Sequence, residues 1–113
     1  MTDCLFCKII AGEIPSAKVH EDDYCFAFRD VHPAAPAHIL IVPKQHVGGL
    51  NNTELLPDAA LAACLRAAKT IAAQEKLADG YRLVCNCGAH ACQSVQHLHF
   101  HLLGGRQLTE KMG

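Results

Sequence analysis

Gln93-Ser94-Val95-Gln96-His97-Leu98-His99-Phe100-His101-Leu102-Leu103-Gly104-Gly105 sets three histidines in alternation with apolar residues. Side chains of a β-strand point to opposite faces with period two. His97, His99 and His101 are therefore expected on one face, with Leu98, Phe100 and Leu102 filling a core behind them. Three groups that titrate near neutral pH are an odd choice for plain solvation, which Thr, Lys or Glu would serve as well. The row is read as a chemical site.

Working outward from it, residues 81–87 and 95–103 form the last two expected strands, joined by the loop Asn86-Cys87-Gly88-Ala89-His90-Ala91-Cys92. Residues 57–74, rich in Ala and Leu, predict the longest helix, with Leu61, Leu65, Ala68 and Ala72 near one stripe and Gly80 closing the approach to the next strand. Residues 18–21, 25–29 and 38–42 are strand-like runs separated by Asp22-Asp23 and by the Pro33/Pro36 loop, and such short spacing favours antiparallel neighbours. Asp3 is placed as the N-cap of a short helix through Leu5, Phe6, Ile9 and Ile10, ended by Gly12 and Pro15. The expected class is α+β: an antiparallel sheet of about five strands with one long and one short helix.

A chain of 113 residues fits one domain, residues 1–113. Its net charge of -1 offers no global attraction to nucleic acid or an anionic membrane, so neither is expected as a partner and any nucleotide must be held locally. No apolar run reaches the roughly 20 residues of a membrane span, and no secretory leader is legible. A cytoplasmic location follows as an expectation. The seven cysteines are odd in number, which favours reduced thiols; Cys25 and Cys64 read as small core hydrophobes, and Cys85 and Cys87 are expected to share a strand face.

The histidine row admits three chemical readings. A metal site is disfavoured, because donors at i, i+2 and i+4 diverge along a strand. Mere exposed polarity sits poorly with Gln93-Ser94 before the row and Gly104-Gly105 after it. An anion site fits better: a central imidazole held by its neighbours can attack phosphorus, the flanking ones can orient it or bind phosphate oxygens, and Ser94 can supply a proton to a leaving atom.

At these residues the chain resembles the histidine-triad superfamily, whose His-x-His-x-His signature is met by His97-Leu98-His99-Phe100-His101. Phe6-Cys7-Lys8-Ile9-Ile10, Glu13-Ile14-Pro15, Ala27-Phe28-Arg29-Asp30, Ala35-Pro36-Ala37-His38-Ile39-Leu40-Ile41-Val42-Pro43-Lys44 and Gly80-Tyr81-Arg82-Leu83-Val84 look like its nucleotide-binding branch. After the triad, Leu103-Gly104-Gly105-Arg106 is similar to the nucleoside phosphoramidases rather than to the diadenosine-polyphosphate hydrolases, and His101 stands where the uridylyltransferases carry Gln. The resemblance implies the histidine-triad fold and a homodimer with joined sheets. It also implies hydrolysis of the P–N bond of adenosine or guanosine 5'-phosphoramidates to AMP or GMP and an amine, with no cofactor needed for the chemistry. A non-catalytic nucleotide sensor is the rival class.

Carried over by position, His99 is the implied nucleophile, His101 a contact to the α-phosphate, and His97 and His38 orienting or relaying groups; the plainer reading of His38 is a buried histidine pinning a strand. Gln93, Ser94 and Asn86 are implied at the phosphate and leaving group. Asp30 is implied on the ribose hydroxyls, with a turn carboxylate as its plainer role. Leu5, Phe6, Ile9, Phe28 and Val31 are implied to form the base pocket, though each equally suits an ordinary core. Cys4 and Cys7 are implied to hold a structural zinc with His46 and His97, against the alternative of two core thiols and an exposed loop histidine. Two departures from the pattern stand out. Cys92 replaces a glycine, which crowds the loop if its backbone needs positive φ, and the tail lacks Trp-Pro-Pro.

Overall fold

In the computed structural model, which describes residues 3–113, five strands and two α-helices follow one another. The strands are β1 (Lys18–Glu21), β2 (Cys25–Arg29), β3 (Ala37–Pro43), β4 (Tyr81–Val84) and β5 (Phe100–Gly104); the helices are α1 (Leu5–Ile10) and α2 (Asp58–Gln74). The sheet runs β1-β2-β3-β5-β4 with every neighbouring pair antiparallel. This is the expected α+β class. Among the described residues no helix is long and apolar enough to cross a membrane.

Alternation along the central strands decides what each face buries. Cys25 and Ala27 of β2, Ile39 and Ile41 of β3 and Phe100 and Leu102 of β5 meet Ala60, Cys64, Ala67, Ala68 and Ile71 of α2. Phe26, Phe28, Leu40 and Val42 point the other way and meet Phe6 and Ile9 of α1. Ile39, Ile41, Ile71 and Leu102 are fully buried, each worth about 1.5–3 kcal/mol of transfer free energy. With α1 packed over this face of the sheet, the side of β5 that carries His101 is partly buried rather than an open surface.

Four expectations need correction. The last strand begins at Phe100, not at residue 95, because the preceding segment is tied down outside the ladder: Leu98 N–H donates to the Val47 carbonyl at 2.8 Å and His97 Nε2 bonds the Pro43 carbonyl at 2.9 Å. The strand before it stops at Val84, so Cys85 and Cys87 lie beyond its end. The first helix is capped by Cys4, whose Sγ accepts from Cys7 N–H, and not by Asp3, which is exposed. In α2 the buried stripe is Ala60, Cys64, Ala67, Ala68, Ile71 and Ala72; Leu65 is 53% exposed. Ile71 and a run of small side chains line the contact, with Leu61 partly buried against it and Leu65 turned outward.

Two turns fix the ends of the working strands. The last turn of α2 closes with Lys76 N–H to Ala73 O and Leu77 N–H to Ala72 O, placing Lys76 at φ 60° in the left-handed position that follows many helices. Gly105 leaves β5 at φ +96°, and a Cβ there would stand 2.9 Å from Pro36 Cβ, so glycine is required on both counts. Arg29, at the end of β2, clamps Glu75 through two parallel bonds of 2.9 and 2.8 Å and ties the sheet to the end of α2.

Candidate active site and metal centre

The register of β3 against β5 sets Leu40 opposite His101 and His38 opposite Leu103, so His38 and His101 are diagonal neighbours on the α1 side of the sheet. Their rings meet, with His38 Nε2 2.9 Å from His101 Nδ1. His99 follows on the same side, its ring 5.1 Å from His101 and 5.1 Å from the ring of Phe6. His97 and His99 are buried and His101 is partly buried.

Backbone partners fix the protons of His97, His99 and His38, and His38 in turn fixes that of His101. A carbonyl only accepts, so the 2.7 Å contact between His99 Nδ1 and the His97 carbonyl puts the proton on Nδ1 and leaves Nε2 of His99 with its lone pair. A main-chain N–H only donates, so Ala34 N–H, 2.9 Å from His38 Nδ1, makes that atom an acceptor and leaves the proton on His38 Nε2. His38 Nε2–H then donates to His101 Nδ1, with Asp30 Oδ2 a more distant acceptor at 3.4 Å. The proton of neutral His101 therefore resides on Nε2. The outcome is a nucleophilic nitrogen on one ring and a donor N–H on the next.

His97 points elsewhere. Its Nε2–H donates to the Pro43 carbonyl, which leaves the Nδ1 lone pair facing Cys4 Sγ at 3.3 Å, Cys7 Sγ at 3.6 Å and His46 Nδ1 at 3.1 Å. Cys7 Sγ also lies 3.4 Å from His46 Nδ1. The four ligand atoms lie within 4.8 Å of one another. Zn–N near 2.05 Å and Zn–S near 2.3 Å put tetrahedral ligand edges at about 3.3–3.8 Å. The donor set and its spacing thus fit structural zinc. The four residues expected as ligands are brought together, and the exposed loop histidine of the plainer reading is not alone.

A second His-carboxylate cluster, Asp30, His38 and His101, is not equivalent. Coordination through His38 Nε2 would displace the proton that the Ala34 N–H fixes there.

The remaining residues separate into groups. Gln93 is saturated: its Nε2 donates to Gly48 O at 2.7 Å and Val95 O at 3.0 Å, and its Oε1 accepts from Gly88 N–H at 2.9 Å. It staples the loop before the triad to the loop after His46, and a Cβ on Gly49 would come 3.3 Å from Gln93 Oε1. Ser94 is exposed, in a shallow pocket with Cys4, Leu5 and His46, and Asn86 sits half-buried two residues past β4. Asp30 Oδ1 takes His32 N–H at 2.8 Å, the turn role, while Oδ2 faces His38. Phe6, Ile9 and Phe28 are core, with Phe6 edge-on to Phe28 at 5.5 Å; Leu5 is 44% and Val31 84% exposed, so neither is core. A cleft of about 570 Å³ lined by Lys76, Leu77, Tyr81, Arg82, Gly105 and Arg106 has none of the histidines in its walls.

The HIT domain profile matches residues 11–108. This chain belongs to the HIT domain family. HIT relatives include a 14 kDa zinc-binding protein of Zea mays, 53% identical over 93% of this chain and 84% of its own length. The purine nucleoside phosphoramidase of Escherichia coli K12 is 47% identical over 94% and 90%, and adenylylsulfatase HINT1 of Arabidopsis thaliana is 50% identical over 93% and 73%. Among solved HIT structures, a hydrolase from Clostridium thermocellum superposes with a TM-score of 0.94 at 42% identity, covering 99% of this chain and 98% of that one.

Within this HIT chain, Cys92 adopts φ 62°, ψ 38°, the left-handed region that the glycine substitution made critical. A side chain there costs about 1 kcal/mol relative to glycine. Cys92→Gly is expected to raise stability by about that amount in urea unfolding; a loss would show that the Cys92 side chain makes compensating contacts.

Burial, with repulsion from His99 and His38, pushes His101 down to about 4, and burial also lowers His38. The folded HIT protein therefore resists protonation at these rings, whereas the unfolded chain accepts protons near pH 6.5. Their contribution to stability is complete above about pH 6.5 and is lost as the pH falls toward 4. We expect His101 to account for on the order of 2 kcal/mol of this fall. His101→Gln should flatten the pH dependence of urea unfolding by that amount, and parallel curves would refute the assignment.

Proposed function

We propose that this HIT hydrolase is a purine nucleoside phosphoramidase. The observation that supports the reading is the hydrogen bond from His99 Nδ1 to the His97 carbonyl, which leaves the lone pair of Nε2 free to act as a nucleophile. In the proposed reaction His99 Nε2 attacks the α-phosphorus of an adenosine or guanosine 5'-phosphoramidate. The P–N bond breaks, its electron pair leaves with the nitrogen, and the amine departs after taking a proton, with Ser94 the proposed donor. Water then attacks the nucleotidyl-His99 phosphorus and gives a proton back to Ser94, so that the 5'-monophosphate leaves, the hydroxyl is restored and His99 returns with its Nδ1 proton. His101 Nε2–H supplies a neutral donor to a phosphate oxygen, oriented by His38 and the Ala34 N–H.

Substrate placement rests on the same reading. Asp30 takes the ribose hydroxyls, and Phe6, Ile9 and Phe28 back the base, with exposed Leu5 and Val31 at its rim. An apolar base site discriminates poorly between adenine and guanine. Gln93 acts here through the loop it braces, since its side-chain amide is already engaged by Gly48, Val95 and Gly88. A homodimer belongs to the proposal as well: β4 is an edge strand, with Tyr81 46% exposed and Leu65 of α2 53% exposed. Sedimentation of the purified protein tests it, a monomer at micromolar concentration counting against.

The function is tested by AMP release from adenosine 5'-phosphoramidate, with adenylyl sulfate and diadenosine polyphosphate as competing substrates. The phosphoramidate is expected to give the highest kcat/KM. Preference for adenylyl sulfate would move the assignment to the activity named in the Arabidopsis relative. Nucleotide binding without turnover of any of the three would favour a sensor.

A further inference from the structure

We propose a second metal site, on the opposite side of the sheet from the histidine row, formed by His20, Asp22 and Cys25 at the β1–β2 hairpin. His20 Nε2 lies 3.1 Å from Asp22 Oδ2, and Cys25 Sγ lies 3.3 Å from the same oxygen. The three ligand atoms are all within 4.8 Å of one another. The carboxylate does not wander: its other oxygen, Oδ1, accepts the N–H groups of Tyr24 and Cys25 at 2.8 Å each, which aims Oδ2 between the imidazole and the thiol.

The donor types choose the ion. One imidazole nitrogen, one carboxylate oxygen and one thiolate suit zinc or cobalt(II) in tetrahedral geometry, whose ligand edges of about 3.3–3.6 Å need the observed contacts to open by only a few tenths of an ångström. Magnesium and calcium, which take oxygen ligands, are excluded by the thiol. Three protein ligands leave a fourth position for water, and the cluster borders a groove of about 330 Å³ lined by Tyr24, Ala63, Arg66, Ala67 and Thr70. His20 and Asp22 are partly exposed, while Cys25 is fully buried, so the ion enters from the surface and the thiol closes the inner side. On binding, the Cys25 S–H proton passes to solvent as the sulfur–metal bond forms, and His20 gives up the Nε2 proton it shares with Asp22 and carries its proton on Nδ1, which frees the Nε2 lone pair for the metal. The ion would pin the β1–β2 hairpin to the core, independently of the Cys4, Cys7, His46 and His97 cluster and of any turnover.

Cobalt(II) is the probe. The full-length protein is equilibrated with excess cobalt(II) and desalted, and bound metal is counted by elemental analysis while thiolate-to-cobalt charge transfer is read by absorption. His20→Leu, a change at a partly exposed position, is expected to lower the count by one equivalent per chain and to remove part of the charge-transfer band. The difference is read between two folded proteins, so it does not depend on whether the first cluster is loaded. An unchanged count and band in His20→Leu would overturn the proposal, as would loss of one equivalent with no change in thiolate absorption, since Cys25 would then not be a ligand.

Discussion

His99→Ala is expected to lower kcat for adenosine 5'-phosphoramidate by about 10⁴-fold or more while leaving AMP binding within a few-fold of the parent. The size of the effect follows from the protons on the rings. The His97 carbonyl fixes the His99 proton on Nδ1, so Nε2 is the free nucleophilic nitrogen of that ring. His101 cannot substitute for it, because Nδ1 of His101 is engaged by His38 and its proton resides on Nε2. His97 cannot either, with Nε2 on the Pro43 carbonyl and Nδ1 turned to the thiols. Removing a single donor, as in His101→Ala, is expected to cost about 10²-fold. Equal losses in the two variants would mean that neither imidazole is the nucleophile and that the row acts only by binding. Residual turnover in His99→Ala near that of the parent would sink the covalent route altogether. Single-turnover experiments quenched with alkaline denaturant, in which a phosphorus–imidazole bond survives, would reveal the nucleotidyl adduct in the parent and none in the variant.

Much of this arrangement is legible in the sequence because it rests on alternation. Apolar residues at Leu98, Phe100 and Leu102 and histidines between them can satisfy one sheet face each in only one way, and the strands 18–21 and 25–29 fall where their composition puts them. The cluster of Cys4, Cys7, His46 and His97 was legible only through family likeness, since residues up to 93 positions apart carry no local signal of meeting. What escaped has physical reasons. Residues 95–99 keep a strand-like pattern but are held by Val47 and Pro43 instead of a ladder, so pattern alone overextends the strand. Leu65 looks like core and is not, because alanines and Cys64 supply the close-packed stripe. The polar role of Gln93 is invisible without coordinates, for its three partners come from both sides of a loop. The tautomer of His101 is set by Ala34, a residue whose side chain says nothing about it; only its main-chain N–H matters.

Removal of zinc is the second large effect expected. The purified protein should carry zinc at Cys4, Cys7, His46 and His97, and Cys7→Ser should lose it and fall in stability by about 3–5 kcal/mol, a drop in Tm of more than about 10 °C. The reason is the reach of the four ligands. Cys4 and Cys7 belong to the entry and first turn of α1, His46 to the loop after β3, and His97 to the segment before β5, so one ion closes loops of 39 and 93 residues and holds α1 against the sheet. Without it, His97 Nδ1 exchanges a metal bond for the weaker contacts with the Cys4 and Cys7 sulfurs at 3.3 and 3.6 Å, and the two thiols and two imidazoles remain crowded within 4.8 Å. Catalysis should feel the change through a single atom. The carbonyl of His97 orients His99, the proposed nucleophile, so a loosened His97 is expected to lower kcat more than it raises KM, by about tenfold. Ser94 and Leu5, which share a pocket with Cys4 and His46, would shift with it. A Cys7→Ser protein that binds no zinc yet keeps the Tm and kcat of the parent would show that the thiols and imidazoles are held by packing alone.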